Sequence, residues 1–421
     1  MTQNILLYSP DVVGHPRVYC RVIADALLDQ SCWIFIAMGF SDEYPLIDCD
    51  DITPLICNEK IKIIDLREYS HTCSGSLSVE EIILLQTKLN IDTTVFIEAD
   101  KSKEQFKDIA RGIAPELVGR NIGIFAGTSE WLTDENSYDG SPINIIVPSF
   151  RTTLGNIKRA LFNRRESAAY FFENQIIGKN ILQEIWVKDE RIADKVSQLV
   201  FWMPEISRAI DGVELANHKS EIHKLNQYLQ TNNQLEPVLY FGDAAYYKGY
   251  DLFLKFIELN QNVCAVHAGR TYDEQQLSYF QYDVKKIRMD LINQGRLFET
   301  NEYVHSQKLK ELYFSVGKIY LTTHRLTLSS STMIQALELG IPVLVPNRGL
   351  IGHRVINNNL GLVYEYENIE DLSTKANEMW NSNLNKYTES IQQFWGRFSD
   401  ETIKKFFVGR IVTNTDKRRQ N

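Results

Sequence analysis

Four hydroxyl side chains in a row, Ser329-Ser330-Ser331-Thr332, separate an apolar run ending at Thr322–Thr323 from an amphipathic stretch that starts near Met333. Serine and threonine are favoured helix N-caps. A helix start offers unpaired backbone N–H groups and the positive end of the helix dipole, so an anion is stable there. A diphosphate carries more charge than one lysine balances and suits such a cradle. Taken alone, the four hydroxyls also fit a plain helix cap. His324, just before them, could bond the same anion. Near the other end of the chain, Val13-Gly14-His15-Pro16-Arg17 follows the apolar run Ile5–Tyr8. Gly14 permits close approach of a ligand to the backbone, and His15 could bond a hydroxyl or move a proton. Glu98 and Asp100 follow a further apolar run, Thr93–Ile97. One of the two could take the proton of an acceptor hydroxyl.

These residues fall where strands would hand over to helices. In the first half, Ile5–Tyr8, Trp33–Met38, Ile61–Leu66, Thr93–Ile97, Ile122–Phe125 and Ile143–Val147 read as strands, and Arg17–Leu28 carries apolar residues at helical spacing. Arg151–Gln175 interleaves basic and aromatic residues and is expected to form one or two helices leaving the sheet. Ile181–Val187 and Leu199–Trp202 close the first domain. The polar stretch 211–236 is the candidate linker with a helix after it. Strands then restart at Val238–Phe241, Val263–His267, Ile319–Thr322, Pro342–Val345 and Gly361–Tyr364. Helices are expected at Tyr250–Leu259, Asp273–Asn293, Ser306–Ser315, Ser330–Leu339 and Ile369–Asn381. Such alternation implies parallel sheets covered by helices. The expected division is a Rossmann-like domain over 1–210, a linker and helix over 211–236, and a second Rossmann-like domain over 237–400. A C-terminal helix within 401–421 is expected to pack back on the first domain before a polar tail. Two such domains leave a cleft, and ligands in such sheets bind beyond the carboxyl ends of the strands.

Bulk properties narrow the function. The chain has 421 residues, of which 44% are hydrophobic and 24% charged, an ordinary globular composition. A net charge of −9 and a pI near 5.5 argue against a nucleic-acid partner. Cysteines stand at positions 20, 32, 49, 57, 73 and 264, without CxxC or zinc spacing. They fit reduced structural thiols better than the small disulfide cluster that five cysteines within 73 residues would allow. No stretch reads as a secretory signal or a membrane span, and a cytoplasmic location is expected. No GxGxxG follows the first strand, which disfavours a nicotinamide dehydrogenase.

The segment Ile319–Pro346 resembles the donor-binding signature of retaining GT-B glycosyltransferases of the family 4-like, or group 1, type. There, a strand, a Ser/Gly-containing loop and a helix ending Ala-x-x-x-Gly-x-Pro-Val bind a nucleotide sugar. Here that ending is Ala336-Leu-Glu-Leu-Gly340-Ile-Pro342-Val343, followed by a glycine loop at Asn347-Arg348-Gly349-Leu350-Ile351-Gly352. A second match is the strand Val238–Phe241, then Gly242, and Lys248-Gly249 before a helix. The resemblance implies an α/β chain with two Rossmann-like domains facing a cleft, the GT-B fold. It implies that Gly242 and Lys248 meet the donor diphosphate, with Lys248 acting as a point charge. Tyr303, in Glu302-Tyr303-Val304, stands where the family places the nucleotide base. The loop holding Gly14 and His15 would approach the donor phosphate and the acceptor. Three positions depart from the pattern: Thr327 and Gln335 replace a pair of glutamates, and Asp243 replaces the arginine after the first glycine. Gln335 can still offer an amide oxygen to a ribose hydroxyl, and Arg270 could replace the missing arginine.

The implied activity is a hexosyltransferase moving sugar from a nucleoside diphosphate sugar to an acceptor hydroxyl, with retention and without a metal. Lys248, His15, Glu98 and Asp100 are the candidate catalytic residues. Gly14, Gly242, Arg270, Tyr303, Ser329, Ser330, Ser331, Thr332 and Gln335 are the candidate donor-binding residues. No metal ligands and no cofactor are expected, the nucleotide sugar being a co-substrate. The acceptor would be a glycan, a lipid-linked molecule or a protein, in surface polysaccharide or glycoconjugate assembly. Residues 151–172 are the candidate peripheral contact with the inner face of a membrane. The alternative is an inactive GT-B subunit that binds nucleotide, glycan or a partner protein.

Overall fold

The structure is a computed structural model and describes residues 2–11, 15–40, 52, 55–70, 76–125, 176, 178–193, 199–204, 206, 219–272, 274–302, 304, 307–325, 330–412. The expected strand at Ile143–Val147, the helices at Arg151–Gln175, the membrane contact at 151–172 and the polar tail from Thr413 lie outside them. So does the linker stretch 211–218. The chain divides into two compact units, Met1–Ile206 with Phe398–Asn421, and Ser207–Arg397.

In the first unit, β1 (Gln3–Ser9) leads into α1 (His15–Leu27), β2 (Cys32–Met38) and β3 (Ile61–Asp65). Then come α2 (Val79–Lys88), β4 (Thr93–Phe96), α3 (Lys103–Ala110), β5 (Arg120–Phe125), β6 (Glu184–Val187), α4 (Glu190–Ala193) and β7 (Val200–Trp202). The strands form one sheet in the order β3-β2-β1-β4-β5-β6-β7, every pair parallel. The direction of chain progression reverses between β1 and β4, which opens a crevice at their carboxyl ends. Successive side chains of a strand point to opposite faces, and β1 uses both. Ile5 and Leu7 enter the core shared with Ile23 and Leu27 of α1, while Leu6 and Tyr8 enter the core shared with Ile82, Leu85 and Phe106. Ser78 starts α2 with a reciprocal capping box to Glu81.

The C-terminal helix Asp400–Ile411 belongs to this unit. Ile403, Phe407 and Ile411 join the core that holds α1 and Trp186. The Trp186 ring lies 5.1 Å from Phe406 and 5.7 Å from Phe407. The Arg120 guanidinium donates to the Ile411 carbonyl at 3.3 Å.

In the second unit, α5 (Lys219–Thr231) precedes β8 (Glu236–Phe241), α6 (Tyr250–Leu259), β9 (Val263–Ala268), α7 (Val284–Asn293), β10 (Leu297–Glu299) and α8 (Gln307–Phe314). After them come β11 (Tyr320–Leu321), α9 (Ser331–Glu338), β12 (Val343–Pro346), α10 (Gly349–Asn358), β13 (Gly361–Tyr364), α11 (Ile369–Trp380) and α12 (Thr388–Gly396). The ladders run β10-β9-β8 and β11-β12-β13, all parallel. β11 runs beside β8, so the two ladders continue each other and progression again reverses, between β8 and β11. Two expectations need correction. The helix expected over Asp273–Asn293 is a 3-10 turn at Glu274–Tyr279 followed by α7, which Asp283 caps by accepting from the Lys286 N–H at 3.0 Å. The glycine loop expected at Asn347–Gly352 is the entry and first turn of α10.

Among the described residues, no helix is long and apolar enough to cross a membrane. Cys20, Cys32, Cys57 and Cys264 are free thiols. Phe407 is fully buried, and truncating a buried phenylalanine to alanine costs about 3–5 kcal/mol. Phe407→Ala should lower the urea stability of the first unit by about that amount, read from Trp186 fluorescence; a loss well below about 1 kcal/mol would mean that the C-terminal helix is not part of this core.

Candidate functional site

At the carboxyl end of β8 the chain turns through Gly242, whose φ is +104°. A Cβ at Gly242 would lie 2.6 Å from Lys248 Nζ, so the absent side chain leaves the room into which the ammonium folds back. Lys248 reaches this place through the short turn Tyr246–Lys248, which Gly249 ends in the left-handed conformation at φ +67°. A Cβ at Gly249 would stand 2.0 Å from the Thr323 carbonyl oxygen. Glycine alone therefore lets the loop after β8 touch the loop after β11, backbone against backbone.

Hydrogen bonds then fasten the two loops. The Thr323 hydroxyl donates to the Gly249 carbonyl at 2.8 Å, and the Arg325 backbone N–H donates to the Tyr247 carbonyl at 2.9 Å. The Arg325 guanidinium is buried. It grips both oxygens of Asp251 at 2.7 and 3.0 Å, donates to Glu367 at 2.6 Å and to the Tyr246 carbonyl at 3.0 Å, and stacks 4.3 Å from the Tyr246 ring centre. Tyr364 reaches across from β13 to the Thr322 carbonyl at 3.1 Å.

The Lys248 ammonium lies 5.8 Å from the Tyr247 ring centre and, among the described residues, meets no hydrogen-bond acceptor. Burial pulls it below its usual value, with Asp243 opposing and Arg270 adding. His324 pairs with the Thr322 hydroxyl. Burial, reinforced by the Lys248 charge, holds its imidazole down to about 3, so it is neutral at neutral pH.

Ser330 caps α9 by accepting from the Met333 N–H at 3.3 Å. The Tyr320 hydroxyl donates to Thr332 at 2.9 Å. Ser331 opens the helix and Gln335 is buried one turn on. Arg270 and Asp243, both considered for the donor, form a two-pronged pair at 3.0 and 2.7 Å. The Arg270 charge holds the Asp243 carboxyl below its ordinary range despite partial burial. Beneath Gly242, the fully buried His267 touches its carbonyl at 3.1 Å and Glu299 at 3.3 Å. Tyr250 and Arg288 donate to the same carboxylate at 2.9 and 2.8 Å.

No protein-family model matches the sequence, and no curated protein matches it. In structure the chain is similar to a glycosyltransferase from Rickettsia africae, with a TM-score of 0.62 and 12% identity, over 98% of this chain and 99% of that one. It is similar to HepE from Anabaena, solved with UDP and glucose, with a TM-score of 0.57 and 12% identity, over 98% and 100%. It is also similar to sucrose-phosphate synthase from Thermosynechococcus elongatus, with a TM-score of 0.58 and 12% identity, over 100% and 98%. The fold is GT-B.

Each unit of the GT-B chain gathers its own set of residues at the point where strand order reverses. In the second unit that set is Gly242, Lys248, Arg270 and the start of α9. In the first unit it lies at the ends of β1 and β4. Lys101 forms ion pairs with Asp11 and, at 2.8 Å, with Glu98. Burial pushes the Glu98 carboxyl up, Lys101 draws it down, and Asp11 raises it further. Asp100 sits in the 3-10 turn Ala99–Ser102 directly after Glu98, and His15 is the first residue of α1. Gly14, Tyr303, Ser329 and Thr327 lie outside the described residues.

The sequence did not mark Arg325, Asp251, Glu367, His267, Glu299, Asp11 or Lys101. The one local signal that could have found Arg325 is its place directly after His324 and just before the hydroxyl run. The ion pair and hydrogen bonds of Glu299 outweigh its burial and hold the carboxyl at about 2, against an ordinary value of 4.5. A carboxyl depressed on folding adds stability above its unfolded value and loses it as the pH falls toward the folded one. The second unit should therefore lose stability on acidification from about pH 4.5 to about pH 2, and Glu299→Gln should flatten that slope in urea titrations; an unchanged slope would remove Glu299 as its source.

Proposed function

We propose that the chain is a glycosyltransferase that moves a sugar from a nucleoside diphosphate sugar to an acceptor hydroxyl. The observation that carries this reading is the Lys248 ammonium, folded over Gly242 and lacking an acceptor among the described residues. It stands at the carboxyl end of β8, at the strand reversal where such sheets bind ligands. The helix after the neighbouring β11 starts with Ser330, Ser331 and Thr332. HepE, of the same fold, has been solved with UDP-glucose, which favours a nucleoside diphosphate sugar as the donor.

Departure of a diphosphate builds negative charge. Lys248 and the amides at the start of α9 would stabilise that charge as it forms, an electrostatic route to rate. Arg270 would add to it, with Asp243 holding the guanidinium beside Gly242. Neutral His324 would donate a hydrogen bond without adding charge. Positive groups in these places support transfer without a metal. Retention at the anomeric carbon, and a glycan, lipid-linked or protein acceptor in surface polysaccharide or glycoconjugate assembly, complete the reading. Glu98, its carboxyl raised by burial, is the base we assign to the acceptor hydroxyl, with Lys101 holding it. Asp100 and His15 would complete the acceptor side.

The second reading is an inactive binder of the same nucleotide, favoured by Asp243 and Gln335 standing where the resemblance places an arginine and a glutamate. Titration calorimetry with UDP and GDP, run beside donor hydrolysis, separates the two: binding without turnover supports the second. A charge-assisted hydrogen bond contributes about 1.5–3 kcal/mol, so Lys248→Ala should weaken the bound nucleoside diphosphate by roughly 10- to 150-fold. Unchanged affinity would sink the phosphate assignment.

A further inference from the structure

We infer that Arg325 is the positioning residue for Lys248, holding the ammonium where a diphosphate would meet it; this rests on the reading above. Its guanidinium is turned to the protein, not to a ligand. The side chain is 6% exposed. Four of its donor contacts go to protein: two to Asp251, one to Glu367 and one to the Tyr246 carbonyl.

Those partners bracket the lysine. Tyr246 lies two residues before Lys248 and Asp251 three residues after it, and Arg325 binds both. Its own backbone N–H takes the Tyr247 carbonyl in between. One side chain thus closes the ends of the turn that carries Lys248 and ties the turn to the loop leading into α9. The guanidinium also sits over the Tyr246 ring, 4.3 Å from its centre, a cation–π contact that adds to the hold on the turn. Among the described residues nothing comparable grips the ammonium itself, which has the Tyr247 ring 5.8 Å away and the charges of Asp243 and Arg270 around it. The backbone that Arg325 fixes therefore sets where the lysine side chain starts, and the space over Gly242 receives its end. His324 directly precedes Arg325, so the same anchor keeps its neutral ring beside Lys248.

A planar fork is required for this task. Lysine supplies a point charge that can hold one oxygen of Asp251, but it cannot span Asp251, Glu367 and the Tyr246 carbonyl at once. Arg325→Ala would strand a carboxylate with no exposed surface, so the informative variant is Arg325→Lys, which keeps the charge.

The experiment is a double-mutant cycle read by calorimetric affinity for UDP and GDP, with the wild type, Lys248→Ala, Arg325→Lys and the double variant of the full chain. Melting temperature and circular dichroism report folding alongside. The expected result is a loss of about tenfold for Arg325→Lys, and a double variant no weaker than Lys248→Ala alone, because the arginine acts through the lysine. Asp251→Asn, which breaks the fork from the other side, should behave as Arg325→Lys does. Wild-type affinity in Arg325→Lys overturns the inference. So do losses that add in the double variant, which would mark a general structural role. Neither outcome touches the glycosyltransferase reading. Failure of the wild type to bind either nucleotide sinks that reading and the inference with it.

Discussion

Asp251 has no exposed surface, and Arg325 meets it almost equally buried. A buried carboxylate is costly unless a partner sits close and satisfies its oxygens, and removing one member of such a pair costs about 3–5 kcal/mol. Here the two partners come from different loops, the first turn of α6 and the segment after β11. The pairing therefore requires those loops to lie in contact. Contact in turn requires Gly249, because any Cβ there would collide with the Thr323 carbonyl. One ion pair and one missing side chain thus fix the register of the loops that carry Lys248 and the entry to α9. Everything proposed about charge stabilisation depends on that register, since preorganised charges do not have to rearrange as the leaving group departs.

The first unit places charges at the equivalent reversal point with a different balance. Lys101 spans Asp11 and Glu98, but its side chain is 43% exposed and theirs are 35% and 19%. Solvent screens such pairs, and each contributes little to stability. A group arriving there can trade places with one of the contacts at small cost. The two clusters therefore suit different partners. On the proposed function, the locked one suits a ligand part that stays constant, such as the diphosphate of nucleotide sugars. On the same reading, the loose one suits an acceptor whose hydroxyl gives up its proton.

Much of this architecture was legible because it depends on local pattern. Tyr250–Leu259 and Gly361–Tyr364 could be read to the residue: a glycine punctuates the start of each, and apolar periodicity or alternation runs through it. α10 was hidden for a physical reason. Gly349 and Gly352 look like loop residues, yet Gly349 takes φ +61° at the helix entry and Gly352 leaves room for the Pro346 carbonyl, 2.8 Å from where a Cβ would sit. The helix expected across Asp273–Asn293 breaks because Tyr272 and Phe280 turn toward each other, 5.9 Å apart, beside Tyr246 and Tyr250. In the site, Lys248 and the hydroxyl run stood out by spacing. Arg325 did not, since its acidic partners lie 74 and 42 positions away and no local rule connects them.

The residue that looked most damaging to nucleotide binding in the sequence, Asp243, changes meaning once its partner is known. An acid directly after Gly242 would repel a diphosphate if it stood alone. Paired at two points with Arg270, it belongs to a pair with no net charge, and it orients a guanidinium that is 62% exposed. Gly269, directly before Arg270, makes the pairing possible. At φ +155°, a Cβ there would lie 2.2 Å from the Gly242 carbonyl oxygen, so the turn after β9 can close onto the turn after β8 only without one. On the proposed function, Arg270, arriving from the turn after β9, takes the part that the resemblance gives to an arginine after Gly242. The acid in the motif then moves the guanidinium to the next strand and keeps its hydrogen-bond donors there, without adding net charge.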